Sequence, residues 1–315
     1  MKRILLIRMS SLGDIIHTFP AVTDLRRALP GTALEWVVEE AYVPLAAMHP
    51  GVTRILPVAL RRWRRQLGAA SAWREAAAFR RSLREQAYDA ILDTQGLLKS
   101  AAVAALARGP VYGFGRGTAR EPLATRVYDT TYEFAASDHK VERYRKVAAR
   151  ALGYAPGWLD YGIAAPPPPA AAPSTPYCVL LHSTARAAKL WSDAGWIELG
   201  RHLALRDLVC VLPWGDQPER LRAERIAAAI PRAVVAPRLP LAEACGLIGH
   251  ARLVVGVDTG LMHLAAALRV PVIGIFCDSE PLDAHPLGTG RIAFRGGVGT
   301  PPSAAEVIAA LEELA

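Results

Sequence analysis

Residues 4–19 of this chain, ILLIRMSSLGDIIHTF, pass from an apolar run to a small polar turn and then into a helical pattern. The run at residues 4–7 predicts a buried strand, and the turn at 10–13 leads into a helix. The same succession returns in the second half of the chain, where residues 253–257 are followed by Asp258-Thr259-Gly260 and a further helical pattern. Because ligands of open α/β sheets bind outside the carboxyl ends of the strands, these two turns predict ligand contacts in both halves of one protein.

Further strand and helix patterns alternate on either side of these turns. Predicted helices include residues 14–29, 42–48, 72–86, 99–107, 196–205 and 218–229. The other predicted strands are residues 33–38, 90–93, 177–181, 208–212, 234–235 and 272–276. Strands that alternate with helices of about ten or more residues form parallel sheets with right-handed crossovers. The sequence therefore predicts an α/β protein with two domains and one cleft between them.

A proline-rich stretch separates the two runs of alternating patterns. Residues 164–176 include four consecutive prolines and no charged residue. Such a run favours extended polyproline geometry and cannot supply a central strand. We expect an N-terminal domain over residues 1–165, a linker over 166–176 and a C-terminal domain over 177–315. The last helix, expected at residues 302–315 with Ser303 as its cap, either stays on that second domain or packs back on the first.

The composition is that of a globular protein with an excess of positive charge. Apolar residues make up 52% and charged residues 21%, and the formal net charge is +8. The excess favours an anionic partner (nucleic acid, an acidic membrane surface or a phosphorylated substrate), or else it is a solvated arginine-rich surface. Four cysteines without a CxxC spacing predict buried thiols in a reducing compartment, and the apolar runs are too short for a signal peptide or a membrane-spanning helix. We expect a cytoplasmic protein whose membrane contact is at most peripheral.

The first turn offers a carboxylate at the start of a helix. Asp14 can act there as a general base, but a carboxylate in this position also caps free helix amides and complements the helix dipole. Ser10 and Ser11 are either turn hydroxyls or donors to a ligand. His17, three residues after Asp14 on the same helix face, is expected to be structural. Position alone leaves both interpretations of Asp14 open.

In the second half, three strand ends carry small or polar residues. Asp258-Thr259-Gly260 precedes a helix whose amides attract anions, and His263 lies one turn further. The other two strand ends carry HST at 182–184, before Lys189, and PWG at 213–215. Each motif alone is also explained by helix capping or by a buried structural histidine. Together they predict the walls of one nucleotide pocket.

The densest basic run is RRWRR at residues 61–65. Basic residues beside an aromatic one can bind nucleic acid, yet no recognised nucleic-acid-binding motif surrounds this run. The alternatives are a solvated helix start or a site for a substrate with several negative charges, since arginine pairs well with phosphate and carboxylate. The sequence has no HExxH, no Cys/His cluster and no GxxxxGK[ST], which argues against a zinc enzyme or a P-loop NTPase.

Seven segments of the chain together resemble the lipopolysaccharide heptosyltransferases. They are SSLGDIIHTFPAVTDLR (10–26), WVVEE (36–40), RRWRR (61–65), DTQGLLKSA (93–101), TAREPLA (118–124), LPWG (212–215) and VDTGLMHLAAAL (257–268). The resemblance runs from residue 3 to about residue 275. WVVEE, RRWRR and TAREPLA are most particular to the first enzyme of that pathway, heptosyltransferase I.

The resemblance implies a GT-B fold, in which two Rossmann-like domains face a central cleft. It implies transfer of L-glycero-D-manno-heptose from ADP-heptose to a Kdo residue of Kdo2-lipid A, with inversion and without an essential metal or other cofactor. The implied location is the cytoplasmic face of the inner membrane, where the protein would be peripheral. No nucleic acid partner is implied.

The resemblance also assigns roles to single residues. Asp14 corresponds to the general base. The implied donor-binding residues are Thr184, Lys189, Glu219, Asp258, Thr259, Gly260 and His263. The implied acceptor-binding residues are Ser10, Arg61, Arg62, Arg64 and Arg120. In two places the chain departs from its relatives, which often have a second threonine where Ala185 stands and a GPTDP-like turn at residues 277–281, so we assign no contact to that turn.

The implied chemistry agrees with the residues at the two turns. A sugar hydroxyl that attacks an anomeric carbon loses its proton as the bond forms, and Asp14 can accept it. An ordinary aspartate has a pKa near 3.9 and is a weak base, so proton transfer is expected late in the reaction. The amides of Thr259 and Gly260, with Lys189, can hold the charge that develops on the departing diphosphate.

Three alternative functions stay open. A GT-B sugar-nucleotide epimerase or hydrolase would keep the donor pocket but need no lipid acceptor, and the basic run argues against it. A heptosyltransferase II-like enzyme would use the same donor. A non-catalytic two-lobed binding protein is disfavoured by the position of Asp14 and by the lack of an export signal.

Overall fold

The computed structural model describes residues 3–279 and 285–314, and the chain divides into two compact units, Met1–Gly162 and Ile163–Ala315. Each unit is built on a six-stranded sheet in which every neighbouring pair of strands is parallel. Helices connect the strands, as a parallel sheet requires.

The first unit has the strand order β3-β2-β1-β4-β5-β6. Its strands are β1 (Arg3–Ile7), β2 (Ala33–Glu39), β3 (Arg54–Val58), β4 (Ala90–Asp93), β5 (Val111–Phe114) and β6 (Thr130–Tyr132). Its helices are α1 (Leu12–Ala28), α2 (Val43–Ala46), α3 (Leu60–Arg65), α4 (Ala70–Arg84), α5 (Leu98–Leu106) and α6 (Lys140–Leu152). The buried side chains of Leu5, Ile7, Val37 and Ile91 form part of its core, so β1 lies at the protected centre of the sheet.

The second unit has the strand order β12-β11-β10-β7-β8-β9. Its strands are β7 (Tyr177–Leu181), β8 (Val209–Leu212), β9 (Val234–Val235), β10 (Leu253–Val257), β11 (Val272–Phe276) and β12 (Ile292–Gly296). Its helices are α7 (Asp193–Ala204), α8 (Gln217–Ala227), α9 (Leu241–Gly249), α10 (Gly260–Ala267) and α11 (Ala304–Glu312). Trp196 and Leu180, both fully buried, belong to its core.

Both sheets follow one topology. Counted from the first strand of each unit, the order in space is 3-2-1-4-5-6, which is the order of doubly wound dinucleotide-binding folds. The predicted α/β class with two Rossmann-like domains is therefore confirmed. In this topology the chain reverses direction across the sheet beside the first strand, and ligands bind at that switch point. The switch points lie beside β1 in the first unit and beside β7 in the second.

The sequence analysis missed four strands, and each is short or atypical. β6 has three residues, β5 has four, and β12 lies in a segment with mixed polar and apolar residues. β3 contains Pro57, which cannot donate a ladder hydrogen bond. The structure places β3 at the edge of the sheet, where its only strand partner within the described residues is β2, and a proline is tolerated there.

The proline-rich stretch belongs with the second unit. The carbonyl of Pro166 accepts a hydrogen bond from His250 Nε2 at 3.0 Å, and a Cβ added to Gly246 of α9 would meet the Pro167 carbonyl oxygen at 2.2 Å. The stretch therefore lies against α9 of the second unit, whereas the sequence predicted a linker between two domains. Within the described residues, the boundary between the compact units falls at Gly162.

The last helix, α11, packs on the sheet of the second unit. Its buried residues Val307, Ala310 and Leu311 belong to that unit's core. Ser303 caps it through a 3.2 Å bond from the Glu306 amide, as predicted, and the predicted last residue, Ala315, lies outside the described residues.

Two expectations from composition can be compared with the structure. All four cysteines are buried free thiols, as predicted. Within residues 3–279 and 285–314, no helix has both the length and the apolarity to cross a membrane.

Candidate active site

The turn after β1 places a carboxylate at the start of α1. Ser11 is the N-cap residue of α1, and Asp14 is the third residue of its first turn. The Ser11 amide and hydroxyl donate hydrogen bonds to Asp14 Oδ2 at 3.2 and 2.9 Å. This is a capping box, so Asp14 does cap the start of α1, as one of the two interpretations predicted. The other carboxylate oxygen takes no part in the cap.

That second oxygen, Asp14 Oδ1, accepts a 3.1 Å hydrogen bond from the hydroxyl of Tyr144 on α6. The Arg8 guanidinium lies over the Tyr144 ring, 4.1 Å from its centre. Burial raises the pKa of Asp14, but the positive charges of Arg8 and Lys140 lower it more, so that it lies well below its ordinary value. The carboxylate is therefore ionised at neutral pH and held in one orientation by groups from two helices.

Asp14 lines a cavity of about 440 Å³ in the first unit. The cavity is rich in positive charge, and its lining includes Arg8, Ser10, Ser11, Gln95, Lys99, Thr118, Arg120, Lys140, Arg143 and Tyr144. Five cations around one carboxylate fit a ligand that carries several negative charges and one hydroxyl group. A sugar acid or a phosphorylated sugar has this chemistry.

Two of the cations that line this cavity are Arg8 and Lys99. The Arg8 side chain is only 4% exposed, and within the described residues its Nη2 atom makes no hydrogen bond. Lys99 Nζ donates to Ser10 Oγ at 3.1 Å. Burial lowers the pKa of Lys99, and the nearby charge of Arg61 lowers it further. A negatively charged ligand in the cavity would relieve the repulsion around Lys99.

The predicted acceptor residues fall into two groups. Ser10 and Arg120 line the cavity. The three predicted arginines of α3, Arg61, Arg62 and Arg64, do not line it, although the charges of Arg61 and Arg64 act on Lys99. Arg62 is bonded to Glu40 at 2.9 Å and to Glu75 at 2.7 Å, so its guanidinium already has carboxylate partners.

The second unit has its own cavity, of about 260 Å³, at the ends of β7, β8 and β10. Its lining is largely apolar and also includes the polar residues Ser183, Glu219 and Thr259. Glu219 Oε2 accepts a 2.6 Å hydrogen bond from the Gly215 amide, which fixes the carboxylate at the mouth of the PWG turn. The predicted donor residues Glu219 and Thr259 therefore meet in one pocket, as the nucleotide-pocket hypothesis requires.

A second group of predicted donor residues is connected by hydrogen bonds. Lys189 Nζ donates to Asp258 Oδ2, and Thr184 Oγ1 donates to the Asp258 carbonyl at 3.1 Å. His263 Nε2 lies 3.9 Å from Asp258 Oδ1. Burial raises the pKa of Asp258, but the bond from Lys189 lowers it more, and the net shift is downward. Thr184, Lys189 and Asp258 are therefore joined by hydrogen bonds beside the start of α10, and His263 lies next to them.

Thr259 and Gly260 complete this end of the second unit. Thr259 is the N-cap residue of α10, and Gly260 is its first residue. Free amides at a helix start attract anions. Lys189 is 17% exposed and Asp258 is 10% exposed, so a phosphate that reached Lys189 would find little competing water. This arrangement suits a diphosphate next to the apolar pocket.

Sequence reasoning missed several residues of the first cavity. Gln95 and Lys99 follow β4, the neighbour of β1, and the strand-end rule that identified Asp14 would also have identified them. Tyr144 stands 130 residues from Asp14 on a helix that the sequence analysis did not predict, and no local pattern connects the two. In the second unit, residues Glu280 and Pro281 of the 277–281 turn lie outside the described residues.

Among residues 3–279 and 285–314, no group of three or more His, Cys, Asp or Glu side chains is arranged to hold a metal ion. The cavity of the first unit is lined by cationic side chains, and Thr259, which lines the second cavity, is the N-cap residue of α10.

Comparisons with known proteins show which family this chain resembles. The model of glycosyltransferase family 9 (heptosyltransferase) matches residues 76–307. Lipopolysaccharide heptosyltransferase 1 of Pseudomonas aeruginosa is 46% identical over 282 residues, which are 89% of this chain and 79% of that protein. Its counterpart in Salmonella typhimurium is 42% identical over 89% of both chains. The structure of E. coli heptosyltransferase WaaC with ADP superposes with a TM-score of 0.91 at 38% identity, over 99% of this chain and 100% of that one.

Proposed function

Since this chain belongs to glycosyltransferase family 9, the heptosyltransferases, we propose that it transfers L-glycero-D-manno-heptose from ADP-heptose to a Kdo residue of Kdo2-lipid A, with inversion, in the synthesis of the lipopolysaccharide inner core. The observation that carries the proposal is an ionised carboxylate, Asp14, held at the end of β1 in a cavity lined by cations. Two solved relatives contain ADP or an ADP-heptose analogue, which supports the choice of donor.

In this proposal the first unit binds the acceptor. Kdo is an acidic sugar, and its carboxylate would pair with cations of the cavity such as Arg8, Lys99 and Arg120. Asp14 accepts the proton of the attacking hydroxyl while the new bond forms to the anomeric carbon of the heptose. Because Ser11 and Tyr144 donate to the carboxylate, its orientation is set before the acceptor arrives.

In this proposal the second unit binds the donor. The adenosine would occupy the apolar cavity, with Glu219 as a hydrogen-bond acceptor for its hydroxyl groups. The diphosphate would lie at the start of α10, against the amides of Thr259 and Gly260 and the Lys189 ammonium group. When the bond between the anomeric carbon and the diphosphate breaks, negative charge grows on the leaving oxygen, and these groups stabilise it. The reaction is proposed to need no metal.

The protein is proposed to work at the cytoplasmic face of the inner membrane, as a peripheral protein without a nucleic acid partner. The acceptor supports this proposal, because Kdo2-lipid A is anchored in a bilayer and the base must reach its sugar from the aqueous side. Arg61 and Arg64 on α3, whose charges act on Lys99, are proposed to contact anionic groups of the acceptor.

One assay tests the proposal. The full chain is incubated with ADP-heptose and Kdo2-lipid A, and ADP release is followed together with the mass of the lipid. We expect equal amounts of ADP and heptosylated lipid, with and without EDTA. ADP release without acceptor would identify a hydrolase instead, and a lipid of unchanged mass would refute the proposed transfer.

A further inference from the structure

The positive charge of this protein is concentrated in one segment. Residues 60–85, which span α3 and α4, contain eight arginines and two glutamates, a net charge of +6 out of +8 for the whole chain. Of these arginines, Arg62 is paired with Glu40 and Glu75. Within the described residues Arg65, Arg74, Arg80 and Arg81 have no carboxylate partner. Unpaired like charges in one surface repel each other unless an anionic partner covers them.

The exposed face of α4 has a regular arrangement. Trp73, Ala77, Arg80 and Arg84 are spaced four, three and four residues apart, so they lie on one helix face, and all four are exposed. A different face of the helix, which includes the buried residues Ala72 and Leu83, packs toward the sheet. The exposed face has an indole at its start and two guanidinium groups nearer its end, so an apolar side chain and cations are exposed on the same surface. Exposed tryptophan together with basic residues is typical of proteins that bind an anionic membrane surface.

The corner between α3 and α4 adds a second exposed apolar side chain. Leu67 is 62% exposed and Trp73 is 63% exposed. The Trp73 indole N–H donates to the Leu67 carbonyl at 2.8 Å, so both polar groups are satisfied inside the corner. The indole ring can therefore enter an apolar medium without leaving a donor unpaired, which removes the usual cost of burying tryptophan.

We propose that Leu67 and Trp73, with the exposed arginines Arg80, Arg81 and Arg84 of α4, form a surface that docks on an anionic bilayer. The proposal rests on the proposed function, in which the acceptor is a membrane lipid. Leu67 and Trp73 insert among the lipid headgroups, and the arginines pair with lipid phosphates. Charge complementarity favours this partner, because the charges within residues 60–85 that lack an ion-pair partner among the described residues are all positive and lie beside the exposed side chains of Leu67 and Trp73.

Vesicle flotation tests the proposal with the full chain. The probes are vesicles of phosphatidylglycerol with phosphatidylethanolamine, and neutral vesicles of phosphatidylcholine alone. We expect binding to the anionic vesicles only. Replacing Arg80 and Arg81 with Gln should weaken it by about fivefold per arginine. Leu67→Ser leaves the Trp73 indole bond in place and should weaken binding by about tenfold, since a leucine side chain no longer leaves water.

The matched control is Trp158, which is 72% exposed in the same unit but lies outside this surface. Trp73→Ser should weaken vesicle binding and Trp158→Ser should not. Circular dichroism of each variant checks that α4 is still folded. Equal effects of the two tryptophan variants, or a wild-type chain that ignores anionic vesicles, would overturn the proposal. Tighter binding to double-stranded DNA than to anionic vesicles, reduced by the same arginine changes, would assign the surface to nucleic acid and also overturn it.

Activity measurements separate this proposal from the proposed function. With a deacylated, water-soluble acceptor, Leu67→Ser should keep wild-type turnover, because neither leucine nor lipid takes part in the chemistry. With the acceptor embedded in anionic vesicles, the same variant should lose activity in proportion to its lost binding. A wild-type chain that is inactive on both acceptors refutes the proposed function, whereas equal activity of wild type and variant on the embedded acceptor refutes the docking surface.

Discussion

Replacing Asp14 with Asn would remove the proposed base and leave the shape of the turn. In the structure, Oδ2 accepts two hydrogen bonds from Ser11, and Oδ1 accepts one from Tyr144. The amide oxygen of asparagine can keep the Ser11 bonds, and its NH2 group can donate to the Tyr144 oxygen instead. The first turn of α1 should therefore survive, with a change of about 1 kcal/mol or less in the free energy of unfolding.

The effect on turnover should be much larger. A positioned general base contributes on the order of 10²- to 10⁴-fold, so kcat should fall by at least about a hundredfold, or roughly 3 kcal/mol of activation free energy. Because the pKa of Asp14 lies well below its ordinary value, the carboxylate is ionised above that pKa and stays so through the neutral range. Asp14 itself should therefore produce no acid limb in the wild-type kcat profile between about pH 5 and 9.

The chain contains a matched control for the capping role. Glu306 forms the same kind of box at the start of α11, where its carboxylate accepts from the Ser303 amide at 2.7 Å. Glu306→Gln should cost a similar small amount of stability and leave kcat unchanged. Steady-state ADP release gives the rates, urea unfolding gives the stabilities, and calorimetry with ADP should show unchanged affinity in both variants. Near-normal turnover of Asp14→Asn would reduce Asp14 to a helix cap and refute the reasoning.

Four further variants have predicted outcomes. Lys189→Ala should weaken ADP binding by about 10- to 100-fold in calorimetry, because a charge-assisted contact to phosphate is lost. Asp258→Asn should weaken it less, because this change only weakens the bond that holds the Lys189 side chain in position. Replacing Arg61 and Arg64 with Ala should raise the acceptor KM by up to roughly fivefold and reduce its salt dependence, without changing ADP affinity. Burial holds the pKa of His49 at about 4, below the 6.5 of an exposed histidine, so the unfolded chain binds a proton first as pH falls. The contribution of neutral His49 to the free energy of unfolding is therefore complete above about pH 6.5 and decreases toward pH 4, with a loss of about 2 kcal/mol at pH 5. The urea midpoint of His49→Gln should consequently fall less than that of the wild type between pH 7 and 5.

The parts of the site that follow a strand within a few residues were predictable from the sequence. Asp14 and Asp258 stand at such places, since an apolar run and a helix start identify the carboxyl end of a parallel strand without further information. The short edge strand β3 was missed because Pro57 argues against a strand unless its edge position is already known.

Contacts between distant elements were not predictable. The bond from Tyr144 to Asp14 depends on how α6 packs beside α1, and the two glutamates that hold Arg62 lie on different elements from it. The basic run was recognised, but its division into paired and unpaired arginines depends on these tertiary contacts. A sequence pattern predicts local geometry only, whereas the packing of distant elements determines which groups each charged side chain contacts.

The central place of β1 and β7 in their sheets determines how the protein should come apart. Amides of the two-residue edge strand β9 can open to hydrogen exchange by fraying, whereas those of β1 are covered on both sides by paired strands and exchange only when that sheet is lost. Asp14 follows the more protected strand. Its geometry should therefore persist through edge fluctuations, and in rising urea the loss of turnover should coincide with exposure of the slowest-exchanging amides of the first unit.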